Sequence, residues 1–149
     1  MDQNLEMNKK KFFSKILLFG EYGIIKNSKA LVIPYKKYYG SLKFSIELDN
    51  VQKASNINLK QLSNYIKNNE FLSNKINTLK LDSDIENGLY FESTIPESYG
   101  LGSSGAVVAA IYESYKKEVF VDLEISDLKL IFSANHSYLG WDHNMLFYQ

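Results

Sequence analysis

Residues 96–106 read PESYGLGSSGA, and they join a stretch with strand character to a stretch with helix character. Before them, residues 88–95 (GLYFESTI) alternate large and polar side chains and are rich in β-forming residues, which is typical of a half-buried strand. Pro96 ends that strand. The apolar spacing from Ala106 to Tyr115 predicts a helix with Ser103 or Ser104 as its N-cap. The glycines and serines are therefore predicted to lie at a helix N-terminus.

A helix N-terminus of this composition is suited to binding an anion. The first amides of a helix have no intrahelical partner, and the aligned peptide dipoles leave about half a positive elementary charge there. Gly100 and Gly102 lack a Cβ, so the backbone can adopt a positive φ and its amides can approach a phosphate closely. The two serine hydroxyls add donors and could coordinate Mg²⁺. The alternative is an ordinary glycine-rich turn with a serine cap.

The pattern Pro-x-x-x-Gly-Leu-Gly-Ser-Ser-Gly-Ala resembles the phosphate-binding loop of the GHMP small-molecule kinases, the family of galacto-, homoserine, mevalonate and phosphomevalonate kinases. It is not a Walker A loop, because no Lys follows the last glycine. The family more often has Ala at the position of Gly105. The resemblance implies that ATP and Mg²⁺ are the cofactors and that Ser104 binds the metal. The residues implied to hold the ATP phosphates are Gly100, Leu101, Gly102, Ser103, Ser104 and Gly105.

A second motif lies near the start of the chain, where residues 15–25 read KILLFGEYGII. The apolar run predicts a buried strand, and the glycines that follow predict a turn. The motif is similar to the N-terminal strand of the same kinases, which implies that Lys15 is catalytic and that Glu21 and Tyr22 border the substrate or nucleotide. Many mevalonate kinases have His where this chain has Tyr22, and Gly-Glu-Tyr more closely resembles phosphomevalonate kinases. Without the family, Lys15 is a strand-edge lysine and Glu21 a solvated turn residue.

Composition limits the classes of partner. The chain has 149 residues, of which 45% are hydrophobic, enough for one packed domain. Its 17 basic and 17 acidic residues cancel, so no overall field attracts nucleic acid or an acidic membrane, and an RNA-binding role suggested by fold analogy alone is disfavoured. All the basic residues are Lys, so phosphate contacts must come from Lys, hydroxyls and backbone amides. We therefore expect a small-molecule phosphate acceptor as partner, with neither nucleic acid nor membrane; the oligomeric state is not predicted.

The cysteine and histidine content and the first residues of the chain bear on metal binding, disulfides and cellular compartment. There is no Cys, which excludes disulfides and thiolate metal sites. His136 and His143 are a weak metal signal, and surface histidines are the alternative. The first six residues are polar and acidic, unlike a signal peptide, and no apolar run approaches the roughly 20 residues of a membrane span. We expect a cytoplasmic protein.

The remaining pattern supplies strands and helices around the two motifs. Residues 30–33 predict a short strand stopped by Pro34, and residues 38–46 predict another. Residues 49–58 are polar and predict a surface loop, followed by a helix through residues 59–66 with Asn58 as a cap. Residues 79–81 could begin a strand, and a further helix is predicted after Ser126 and Asp127.

The predicted fold is α+β, a mostly antiparallel sheet with helices packed on one face, similar to the ribosomal-protein-S5-like N-terminal domain of GHMP kinases. Residues 1–11 are interpreted as a flexible extension, 12–132 as the ATP-binding domain and 133–149 as a divergent tail. We expect the family's C-terminal domain to be missing, as in a truncated or frameshifted chain. The segment that carries the presumed catalytic base in the family is not found. Asp142 is a candidate base, with a solvated tail residue as the alternative.

Two functional hypotheses follow. In the first, the chain transfers the γ-phosphoryl group of ATP to a small metabolite, with mevalonate or a relative as the acceptor and Lys15 lowering the charge at the transferred group. In the second, the chain is a non-catalytic nucleotide-binding fragment or pseudo-kinase that still binds phosphate at residues 96–106 but lacks a base. Turnover distinguishes the two.

Overall fold

The computed structural model describes residues 10–19, 31–97 and 99–117. In these ranges the elements are, in chain order, β1 (Phe12–Phe19), β2 (Leu31–Phe44), α1 (Asn50–Asn68), α2 (Glu70–Lys75), α3 (Thr78–Glu86), β3 (Leu89–Ser93) and α4 (Ser103–Tyr115). The three strands form an antiparallel sheet in the order β1-β2-β3, with helices packed against it. The predicted α+β fold is confirmed, as are a strand before Pro96 and a helix after it. The division into three segments stays a prediction.

Strand β2 continues through Pro34, so the prediction that this proline stops a strand is wrong. Pro34 is the register partner of Lys15 in β1, and the Lys15 amide donates away from β2, to the carbonyl of Leu101 at 2.9 Å. Lys15 and Pro34 are therefore a pair without hydrogen bonds between them, where the amide of the β2 residue is not needed by β1. On its other side, β2 pairs with β3 only from Gly40 to Phe44. The proline thus costs the sheet no ladder hydrogen bond.

A bulge of three residues in β2 lies opposite the step from Phe13 to Ser14 in β1. Between Phe13 and Ser14 the register partner changes from Tyr39 to Tyr35, so residues 36–38 have no partners in β1. Ser14 is 1% exposed, and its hydroxyl donates to the Tyr35 carbonyl at 2.7 Å. This hydrogen bond anchors the bulge to β1, next to Lys15.

Two predictions between β2 and β3 are wrong. The polar residues expected to form a loop belong to α1, which begins after Asp49: Asp49 Oδ1 accepts from the Gln52 amide at 2.8 Å, and Gln52 Oε1 accepts from the Asp49 amide at 3.0 Å. This capping box satisfies two amides at once. Residues 79–81, expected to begin a strand, lie in α3, which Asn77 caps. Leu81 and Ile85 are buried at the i, i+4 spacing of a helix face.

The core lies between the sheet and the helices. It contains Leu59, Leu62 and Ile66 of α1, Leu81 and Ile85 of α3, Leu89 and Phe91 of β3, and Val108, Ile111 and Tyr115 of α4. The Tyr115 hydroxyl donates to Asp84 Oδ2 at 2.8 Å, and burial together with Asp84 raises the pKa of Tyr115 well above its ordinary value. The far end of α4 is therefore fixed to α3.

Strand β3 has its outer edge covered by side chains of α1. The Phe91 amide donates to Ser55 Oγ at 2.9 Å, and the Ser55 hydroxyl donates to the Phe91 carbonyl at 3.0 Å. Asn56 Nδ2 donates to the carbonyls of Ile85 and Leu89 at 2.9 and 2.6 Å. Backbone groups that a lone edge strand would leave unpaired are satisfied in this way.

Gly40 provides a test of the packing between β2 and β3. A Cβ at residue 40 would lie 2.1 Å from Phe91 Cζ and 2.4 Å from Phe91 Cε1. We expect Gly40→Ala to lower the free energy of unfolding by about 1–3 kcal/mol, measured by urea denaturation, because the methyl group overpacks the core. In a Phe91→Leu background the additional loss should be clearly smaller. An equal loss in both backgrounds would contradict the packing described.

Candidate functional site

The glycine-rich loop reaches helix α4 through two residues of left-handed or near left-handed backbone. Gly100 has a φ of 67° and Gly102 a φ of 82°, as the glycines were predicted to allow. Gly102 itself is the N-cap, and its carbonyl accepts from the Ala106 amide at 3.1 Å. The prediction that Ser103 or Ser104 caps the helix is wrong, because they are its first two residues. The amides of residues 103–105 consequently have no acceptor within the helix.

Strand β1 is hydrogen-bonded directly to this loop. The Lys15 amide donates to the Leu101 carbonyl at 2.9 Å, on the edge of β1 that faces away from β2. Leu101 is half-buried and packs against the core cluster. The loop is therefore held on one side by the sheet edge and on the other by the core.

A second contact aligns β1 with the whole length of α4. Lys10, just before β1, forms an ion pair with Glu113 at 2.7 Å, and the hydrogen bond from Lys10 is the main cause that lowers the pKa of Glu113. From Lys10 to Lys15 a strand advances about 17 Å, and from Gly102 to Glu113 a helix advances about 17 Å. The strand and the helix thus run antiparallel over the same length. Lys15 therefore lies beside the N-terminus of α4.

The aliphatic part of Lys15 crosses the position where Gly102 has no side chain. A Cβ on Gly102 would lie 2.8 Å from Lys15 Cγ, 3.0 Å from Cε and 3.3 Å from Cδ. The amine is one bond beyond Cε, so it lies close to Gly102, the N-cap of α4. The structure thus brings Lys15 into contact with Leu101 and Gly102, two of the residues predicted to bind phosphate.

Comparison with known protein families gives a match. The family model described as the GHMP kinases N terminal domain matches residues 64–140, just over half of the 149 residues. The chain belongs to the GHMP kinase family. Searches of curated proteins and of solved structures found no match. GHMP kinases generally use ATP and Mg²⁺, and the glycine-rich loop and α4 of this member lie within the matched residues. Lys15 lies outside them, so its place beside the loop rests on the structure.

The electrostatics around Lys15 and the start of α4 favour an anion. Burial lowers the pKa of Lys15 to about 8, because a partly dehydrated ammonium group is less stable than a solvated one. The ammonium group is positive at neutral pH, and the N-terminus of α4 adds a partial positive charge. An anion at this place would offset the cost of dehydrating the ammonium group.

Other predicted site residues fall outside the description. Glu21 and Tyr22, together with His136, Asp142 and His143, lie outside the described ranges, so their roles stay predictions. Within residues 10–19, 31–97 and 99–117 there is no cluster of three or more His, Asp or Glu side chains that could hold a metal ion. Ser103 and Ser104 are half-buried in the first turn of α4.

Among the helices of the described residues, none combines the length and the hydropathy that a membrane span requires.

The buried position of Lys15 predicts a pH dependence of stability. The folded pKa is about 8 and the ordinary value is 10.5, so between these pH values the unfolded chain binds more protons than the folded one. Stability should therefore rise as pH increases from 8 to 10.5, relative to Lys15→Met, which lacks the group. The measurement is urea denaturation at pH 7.5, 9 and 10.5. Lys53→Met, at an exposed position of α1, is the control for loss of charge. A constant difference between wild type and Lys15→Met would contradict the burial described.

Proposed function

We propose that this GHMP kinase domain binds the phosphate groups of ATP between the N-terminus of α4 and Lys15, and that it transfers the γ-phosphoryl group to a small metabolite. The observation that carries the proposal is the contact of the Lys15 side chain with Gly102, at the start of the helix. This contact supports a position of the ammonium group near the first amides of α4, which have no acceptor within the helix. The family match supports the nucleotide as the source of the phosphate groups.

The donors at this site suit a polyphosphate. Phosphate oxygens carry full negative charge, and amides at a helix N-terminus bind such oxygens well. The chain contains no Arg, so the cationic side chain proposed to approach the phosphates is a lysine. Charge on the transferred group is shared by its oxygens during phosphoryl transfer, and a fixed ammonium group stabilises that charge. We assign this catalytic role to Lys15.

The loop residues have separate roles in the proposal. Gly100 and Gly102 adopt the backbone that turns amides toward the ligand, and Leu101 anchors the loop through its side chain and carbonyl. The amides of Ser103, Ser104 and Gly105 bind phosphate oxygens. The Ser104 hydroxyl would help to hold Mg²⁺, and the ion would neutralise part of the negative charge of the phosphate groups.

The acceptor is proposed from the sequence motifs. The resemblance of residues 15–25 to mevalonate and phosphomevalonate kinases favours mevalonate or a relative, with Glu21 and Tyr22 bordering it. Asp142 is the candidate base in the sequence. The balanced charge supports a small-molecule partner over nucleic acid or membrane.

Calorimetric titration of Mg-ATP into the purified chain tests the binding half of this proposal. Wild type should bind with a micromolar to millimolar Kd. Ser104→Ala should weaken binding by about three- to tenfold, the effect of one lost polar contact. Gly102→Val should abolish it, because the new side chain meets Lys15 and is strained at a φ of 82°. Ser73→Ala, on α2, is the control. A folded wild-type chain that binds no Mg-ATP would overturn the proposal.

Turnover tests the catalytic half. Incubation with Mg-ATP and a panel containing mevalonate, phosphomevalonate and homoserine should give ADP and one phosphorylated product, detected by mass spectrometry. Binding of Mg-ATP without any product would favour the non-catalytic nucleotide-binding hypothesis instead.

A further inference from the structure

We propose that Gly102 is a positioning residue for Lys15: the absence of a side chain at residue 102 is what allows the lysine to extend across the helix N-terminus. The functional meaning of this arrangement rests on the proposed binding of phosphate. The steric claim itself concerns the protein without ligand. Gly102 would then have two roles: its own amide can approach a phosphate, and its missing side chain leaves room for Lys15.

The contact involves the rigid part of the lysine as well as its end. The closest atom to a Cβ on Gly102 would be Lys15 Cγ, at 2.8 Å, and Cγ is only two bonds from the backbone of β1. A contact under 3.0 Å cannot be accommodated without movement. The backbones are also pinned to each other, because the Lys15 amide donates to Leu101, the residue before Gly102. The lysine side chain must therefore change rotamer to make room, and its amine leaves the start of α4.

Gly100 shows that backbone conformation alone does not explain Gly102. Its φ of 67° is also positive, yet a Cβ placed on it would meet nothing within 4 Å. An alanine at residue 100 carries only the cost of a left-handed backbone, whereas an alanine at residue 102 carries that cost and also displaces Lys15. The two glycines are therefore a matched pair, one with the contact and one without it.

The amine can be observed directly by NMR. Lysine labelled with ¹³C at Cε gives one signal per lysine, and the Lys15 signal is the one that disappears in Lys15→Met. In wild type it should titrate at about 8. In Gly102→Ala the midpoint should move up toward the ordinary value of 10.5, because the displaced amine becomes hydrated. In Gly100→Ala it should stay near that of wild type. A Lys15 midpoint that is the same in Gly102→Ala and wild type would overturn the proposal.

A double-mutant cycle tests the same contact through stability. Gly102→Ala and Gly100→Ala are each made in wild type and in Lys15→Ala, which keeps the backbone hydrogen bond and removes the aliphatic chain. Gly102→Ala should destabilise wild type more than it destabilises Lys15→Ala, where its cost should fall to that of Gly100→Ala. If Gly102→Ala alone does not fold, the double variant with Lys15→Ala should regain folding. A double variant as unstable as the single one would overturn the proposal.

Neither experiment contains ATP. A chain that passes both tests and binds no Mg-ATP would keep the positioning role and lose the proposed function. A chain that binds Mg-ATP and fails both tests would keep the proposed function and lose the positioning role.

Discussion

The hydrogen bond from the Lys15 amide to the Leu101 carbonyl is the constraint on which the site depends. It joins the edge strand β1 to a loop that follows β3, at 2.9 Å. Without it, the lysine and the glycine-rich loop would belong to separate parts of the fold. The ion pair between Lys10 and Glu113 fixes the other end of the same strand to the far end of α4. Together the two contacts set the position of Lys15 along the helix axis.

This arrangement concentrates positive charge before any ligand arrives. The ammonium group of Lys15 is partly dehydrated, and it approaches the positive end of α4, where amides have no acceptor within the helix. Such a cluster is costly in the empty protein and favourable around an anion. Preorganised charges of this kind are how a kinase stabilises a transferred phosphoryl group, since they need no rearrangement during the reaction.

Much of the local structure could be predicted from the sequence. The GLGSSG loop, the strand before it and the helix after it follow from glycine, proline and apolar spacing over a few residues. The predicted helix over residues 59–66 lies within α1, but the helix begins earlier, after Asp49. The run of Asn and Ser in residues 50–58 favours a loop, whereas Asp49 and Gln52 have the spacing of a capping box. A proline in a strand pattern predicts a strand end, and the sequence does not show that the Pro34 nitrogen needs no ladder hydrogen bond. The serine cap was predicted where a left-handed glycine takes the position.

The contact that defines the site could not be derived from local pattern. Lys15 and Gly102 are far apart in the sequence, and only the resemblance to GHMP kinases suggested that both belong to one site. The contact between Gly102 and the Lys15 side chain can be recognised only when the position of β1 along α4 is known. Non-local contacts of this kind depend on the whole fold, including the bulge at Ser14 that anchors the strand.

The central claim is that Lys15 and the start of α4 form one anion site. Proton uptake on binding of Mg-ATP is its most direct test. Mg-ATP is titrated into the chain at pH 8.5 by calorimetry in buffers of different ionisation enthalpy. Since the pKa of Lys15 is about 8, most of the lysine is neutral at that pH and an adjacent phosphate should draw a proton onto it. The account predicts uptake of most of one proton, absent in Lys15→Met and retained in Lys53→Met. Binding without proton uptake, or uptake that persists in Lys15→Met, would contradict it.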